Sequence, residues 1–224
     1  MKKTVIFGHN TTAEMIYREA MVYGSDLDIV AFTVDADYRK TDCLCGLPMI
    51  DFQRALSLYP PSEFNMLLAL DALSALRGRL RVFERIKSAG YSMPNYISRL
   101  SDTPQDTVMG ENNVIMAFAH VGLHGKMGNY NVIRQNAYLG HDFELSDGNV
   151  ITSGNSIGSH CRIGKLCYFG LGAVTLNRKT IADETLVGAG AVITKDTVAC
   201  TTYVGNPAKP ISTHEDTGIV FKLN

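Results

Sequence analysis

The chain has 224 residues, enough for one large or two small domains with a core that needs no disulfide or metal staples. Its 21 basic residues against 22 acidic ones leave a net charge of −1, without the positive excess a nucleic-acid binder uses to neutralise phosphates. It is 46% apolar and 19% charged, a soluble globular composition, and no apolar run reaches the roughly 18 residues of a membrane-spanning helix. The apolar stretch Val5-Ile6-Phe7 after Met1-Lys2-Lys3 is too short for a signal-peptide core. Five cysteines, an odd number without zinc spacing, read as reduced thiols, and a cytoplasmic protein is expected.

In chain order, Thr4–Phe7 reads as a buried strand ended by Gly8, and Thr12–Val22 as a helix with Met15, Tyr17, Ala20 and Met21 near one side. Ile29–Val34 is a second strand ending at Asp35. Asp51 suits the N-cap of a short helix to Leu58, stopped by Tyr59-Pro60-Pro61. Met66–Leu70 reads as a strand. Leu73, Leu76, Leu80, Phe83 and Ile86 then follow helical spacing, with Arg77, Arg81, Arg85 and Lys87 toward water and Gly90 at the end. This alternation predicts a parallel sheet covered by helices. No G-x-G-x-x-G follows the first strand, so a dinucleotide cofactor is not expected.

From about residue 108 the period changes. Val121, Met127, Ile133, Leu139, Leu145, Ile151, Ile157, Ile163, Phe169, Thr175, Ile181, Val187 and Ile193 stand six apart, and all but Thr175 are apolar. Glycine often follows, and small residues recur four positions on. Neither helix nor ordinary strand repeats at six; a parallel β-helix of hexapeptides does, with three hexads to a coil. The large residues are expected at the corners of the prism, and the register is expected to slip by one before Val121. The repeat specifies a scaffold, not a chemistry.

The end of the repeat, Val187-Gly-Ala-Gly-Ala-Val192 with Lys195-Asp196, and Val204-Gly205-Asn206-Pro207-Ala208-Lys209 resemble the left-handed β-helix acyltransferases. With the strand–helix front half, the chain resembles the sialic acid O-acetyltransferase and bacillosamine-type N-acetyltransferase family. That resemblance implies an α/β Rossmann-like domain over residues 1–100 that holds a nucleotide sugar. A left-handed parallel β-helix that binds acetyl-CoA as acyl donor would follow over 101–211, with a tail over 212–224. It also implies a homotrimer with its sites between subunits.

The same resemblance assigns the site. His141 is the implied general base, because acyl transfer needs a proton taken from an amine or hydroxyl near neutral pH. Asp142 would hold its tautomer, and the backbone amide of Ser159, one coil on, would receive the oxyanion. His141 is expected on a flat outward face. Val150, Leu171, Gly172, Ala189 and Gly190 are the implied CoA contacts; Lys209 either reaches the CoA phosphates or is merely solvated. Asn10, Thr11 and Thr12 in the first loop, Asp35 and Asp71 are the implied nucleotide-sugar contacts. The chain departs from its relatives at Arg134-Gln135 (Asn-Thr in many), at Val150 (a second histidine) and at Asp71 (glycine). Arg134 reads equally as a phosphate contact or a salt-bridge partner.

Two other readings stand beside this one: a metalloenzyme like the β-helix carbonic anhydrases, and a non-catalytic scaffold. His120, His124, His141 and His160 all fall in the repeat, but His124 and His160, two coils apart, would lie roughly 9.6 Å from each other. That is too far to share one ion within a chain, so no metal is expected.

Overall fold

In the computed structural model, residues 2–70 and 75–221 are described. The front half runs β1 (Lys3–Phe7), α1 (Thr11–Tyr23), β2 (Ile29–Val34), β3 (Cys43–Leu44), β4 (Leu47–Asp51), α2 (Phe52–Leu58), β5 (Phe64–Leu68) and α3 (Leu76–Ser88). The sheet order is β3-β4-β2-β1-β5, parallel throughout except for the β3–β4 hairpin. Local chemistry sets the helix starts: Asn10 accepts from the Ala13 amide and Asp51 from the Arg54 amide. β5 stops at Leu68 because it pairs in step with β1, Lys3 opposite Phe64 and Phe7 opposite Leu68. Gly8 is required where β1 ends, since a Cβ there would stand 2.7 Å from the Ala69 carbonyl oxygen. Leu73 and Asp71 lie outside the described residues.

The second half is a parallel β-helix of two-residue strands recurring every six residues. One face stacks His120–Val121, Tyr138–Leu139, Ser156–Ile157, Val174–Thr175 and Val192–Ile193. A second stacks Val108–Met109, Lys126–Met127, Glu144–Leu145, Arg162–Ile163 and Thr180–Ile181. The third runs from Tyr96–Ile97 through Val150–Ile151 to Leu186–Val187. Thr201–Val204 and the antiparallel Lys209–Thr213 close its end. The first rung, Tyr96–Ile97, thus precedes residue 101.

The structure corrects two expectations about the repeat. The large apolar residues are the inward members of the strands on the flat faces, not corner residues. The corners are the four residues between strands, and the third of these takes a positive φ, as at Tyr130, Asn136, Asp142, Gly148 and Gly154. Nor does the register slip before Val121: Met109 and Ile115 continue the inward column, while Val108 and Val114 are its outward neighbours. The glycine after the apolar position answers to stacking. A Cβ on Gly140 would lie 2.6 Å from the Ser159 amide nitrogen of the next coil. Inside one corner Asn95, Asn113, Asn131 and Asn149 form a ladder, each side-chain oxygen accepting the amide one coil on.

The third face packs on the front half: Val114, Val132 and Val150 join Ile6, Ala13 and Leu67 in one core. Polar pairs fix the joint. The Asn112 carboxamide accepts the Leu68 amide at 2.7 Å and donates to its carbonyl at 3.0 Å, completing the edge of β5. Arg79 of α3 is buried and donates to the Gly148 and Tyr130 carbonyls. Arg77, expected toward water, instead pairs with Glu184 at 2.8 Å.

Candidate functional site

His141 and Asp142 sit at the corner between the first and second faces, not on a flat face. The cause is the strand period: Tyr138–Leu139 and Glu144–Leu145 are the faces, so 140–143 must turn. Phe143 is buried and Asp142 adopts φ +56°, which directs both polar side chains outward. His141 Nδ1 lies 2.6 Å from Asp142 Oδ2. An ionised Asp142 accepts Nδ1–H, leaving Nε2 as the nitrogen that takes a proton. The His141 hydrogen bond, with the neighbouring histidines adding to it, holds the Asp142 carboxyl below the usual carboxylate range.

Two histidines that the sequence did not connect to this pair stand beside it. His124 Nδ1 is 3.5 Å from Asp142 Oδ1, and the His160 ring meets the His141 ring edge-on at 5.1 Å. The signal was available: 124, 142 and 160 are one coil apart, so Asp142 fills the gap between two histidines judged too distant to cooperate. Ser159 is one coil on from His141, but its amide already donates to Asn177 Oδ1 at 2.9 Å. The expected oxyanion donor is therefore engaged. Along the first face, meeting this corner column one and two coils on at Gly158 and Asn177, lies a groove of about 590 Å³, bordered also by Tyr138, Ser156, Val174, Leu176 and Lys179.

Leu171, Gly172, Ala189 and Gly190 are exposed at another corner, between the third and first faces. Gly172 and Gly190 have φ near +65°, and among the described residues no atom beyond their chain neighbours lies within 4 Å of the place of a Cβ, so the notch beside them is open. Val150 does not join them. Its position points out of the third face, which the front half covers, so it is buried in the shared core.

In the front half, the ends of β1, β2 and β5 enclose a cavity of about 640 Å³ lined by Phe7, His9, Asn10, Asp35, Arg81 and Arg85 among others. Asn10 lines it while capping α1. Asp35 is bound by Arg85 at 2.8 Å, and that guanidinium lies over the Phe7 and Phe52 rings rather than simply facing water. Thr11 is exposed on the first turn of α1 and does not line the cavity. Thr12 is buried and its hydroxyl accepts from Arg134 at 2.7 Å, so this pair braces α1 against the β-helix instead of facing the cavity. Asp71 is outside the described residues. His9 and Arg85 were not singled out as site residues; His9 directly follows Gly8 at the end of the first strand, where ligands of parallel sheets gather.

Each of the five cysteines is free. Burial pushes the Cys167 thiol up to about 12. Among the described residues, no helix is long and apolar enough to cross a membrane.

No protein-family model matches the chain. Its fold is similar to that of a histidine-to-asparagine variant of perosamine N-acetyltransferase from Caulobacter crescentus, in complex with CoA and GDP-perosamine. That likeness has a TM-score of 0.85, 22% identity, and covers 95% of this chain and 98% of that one. The acetyltransferase domain of PglB from Neisseria gonorrhoeae FA1090, in complex with acetyl coenzyme A, has a TM-score of 0.84 and 25% identity, covering 94% and 99%. In sequence, 104 residues (46% of this chain) are 28% identical to an acyl-acyl-carrier-protein–UDP-N-acetylglucosamine O-acyltransferase of Pseudomonas paraeruginosa. The match spans only 33% of that relative, so the matched part of the chain covers about a third of the length of the curated relatives it matches.

Proposed function

We propose that this protein is an acetyl-CoA-dependent acetyltransferase acting on an amine or hydroxyl of a nucleotide-linked sugar. The observation that carries this reading is the His141–Asp142 pair, exposed at a corner whose column borders an open groove one and two coils on, at Gly158 and Asn177, in a chain of which 94–95% takes the fold of sugar acetyltransferases. In this reading the β-helix is left-handed and the front half is a Rossmann-like unit whose cavity, with Asp35 and Arg81, takes the nucleotide.

The chemistry follows from the geometry. His141 Nε2 takes the proton of the acceptor N–H or O–H as that atom attacks the thioester carbonyl carbon. The tetrahedral intermediate collapses by breaking the C–S bond, and the imidazolium returns the proton to the CoA thiolate. Asp142 remains ionised and stabilises the imidazolium. The Ser159 amide serves the oxyanion only if the Asn177 carboxamide moves off it.

The residues of the two corners argue for assembly. In one chain, Leu171 and Ala189 lie across the first face from His141. A CoA that touches both sets does so in the groove between two chains, with Leu123, Leu171 and Leu176, all exposed, as apolar contact surface. The protein is therefore proposed as a homotrimer.

The test is a thiol-release assay with acetyl-CoA across a panel of nucleotide amino sugars, with mass analysis of the acceptor. A mass gain of one acetyl group that depends on His141 supports the reading. No turnover with any acceptor, in a protein that is folded, supports the scaffold instead.

A further inference from the structure

We propose that His141, Asp142 and His160, with His124 backing the Asp142 carboxylate, form a binding site for a divalent transition metal ion such as Zn²⁺, and that an ion bound there halts acetyl transfer. The inhibitory half rests on the acetyltransferase reading; the binding half does not.

The site is a product of the repeat. Positions 124, 142 and 160 are successive occupants of one corner position, with φ of +59°, +56° and +59°. The same backbone conformation one coil apart sends three side chains out side by side. One ligand atom each from His141, Asp142 and His160 already lies within 4.8 Å of the others. A tetrahedral zinc ion with bonds of about 2.1 Å needs ligand atoms about 3.4 Å apart. All three side chains are exposed, so rotation about their own bonds can close that gap without moving the coil.

The donor set selects the ion. Imidazoles with one carboxylate suit zinc, copper or nickel and offer too few oxygens for calcium or magnesium. Asp142 supplies the negative charge, and its second oxygen faces His124 at 3.5 Å. The first positive side chain further along this column is Arg178, beyond His160. Acetyl transfer as derived above uses His141 and Asp142 and has no task for His124 or His160. An ion held by Asp142 and His160 takes the carboxylate away from His141 Nδ1, which weakens the base, and when it also captures the imidazole it removes the base altogether.

The experiment is calorimetric titration of the full chain with zinc chloride, after treatment with chelator. Wild type is compared with His160→Asn and His124→Asn, since asparagine accepts the positive φ of these positions. One tight equivalent per chain is expected in the wild type. Loss of a ligand in His160→Asn weakens it by at least the about 10–100-fold typical of supporting groups at metal sites, and His124→Asn weakens it less. Equal zinc affinity in wild type and His160→Asn overturns the site and assigns the ion elsewhere, for instance to the exposed thiol of Cys43. For the inhibitory half, zinc should stop transfer in the wild type, reversibly with chelator, and leave His160→Asn closer to its own zinc-free rate. Tight His160-dependent binding with undiminished transfer overturns that half alone.

Discussion

The two halves build their sites by different routes. In the front half, residues that meet come from separate crossovers: Asp35 closes against Arg85, 50 positions on. In the β-helix, residues that meet are mostly one coil apart, as in His124, Asp142 and His160 or the asparagine ladder. A repeat thus turns one corner conformation into a column of side chains, and a site needs only suitable residues at an interval of 18. The parallel sheet of the front half gives no such interval, and each contact depends on how the helices dock.

The largest effect expected from breaking this contrast is at the column. His141→Ala should lower kcat by about 10²–10⁴-fold, with acetyl-CoA affinity little changed, because a general base acts in the transition state. Asp142→Asn should lose less. Full turnover in His141→Ala on the true acceptor would place the base elsewhere.

Stacking itself can be tested next. Gly140→Val should cost about 3 kcal/mol or more, since its Cβ meets the Ser159 amide at 2.6 Å, whereas Gly172→Ala meets nothing and should cost only about 1 kcal/mol of backbone strain. Urea midpoints that fell equally for both would show that stacking does not select the glycines.

In the front half, Asp35→Ala should raise the acceptor KM about tenfold, the loss of one charge-assisted contact, and leave acetyl-CoA binding unaltered. A matching loss of acetyl-CoA affinity would mean that the halves do not bind independently.

The joint between the halves has a pH signature. Burial, with the Asp147 charge, pushes the Tyr130 phenol up to about 12. The native state keeps that proton while the unfolded chain loses it near pH 10, so stability is full below pH 10 and falls as pH rises to 12. Tyr130→Phe should flatten this fall in an alkaline unfolding curve.

The smallest change sharpens the apolar column. Thr175 is its one hydroxyl, buried with Oγ1 unpartnered among the described residues. Thr175→Val should raise stability by about 1 kcal/mol, read as a higher Tm; a lower one would reveal a partner for that hydroxyl.

Much of this was legible where one local rule decides the outcome. The hexad repeat names its own coil, Asp51 caps the helix it was expected to cap, and His141 bonds the residue next to it. The slip before Val121 was misread because inward and outward positions are both apolar there: Val114 is covered by the front half. Val150 was implied as a CoA contact by the resemblance alone, and the front half packed on the third face buries it.

The sequence by itself determined the hexad repeat, its coil of 18, the alternating front half and the adjacency of His141 and Asp142. These rest on spacing and adjacency, which the covalent chain carries. Only the tertiary structure decided that this pair lies on a corner, that Arg134 braces Thr12, that Arg77 meets Glu184, and that Asn177 holds the Ser159 amide. Each of these depends on where two independently formed surfaces come to rest, on the turn between two strands or the docking of α3 and the third face. No periodicity in the chain records that placement.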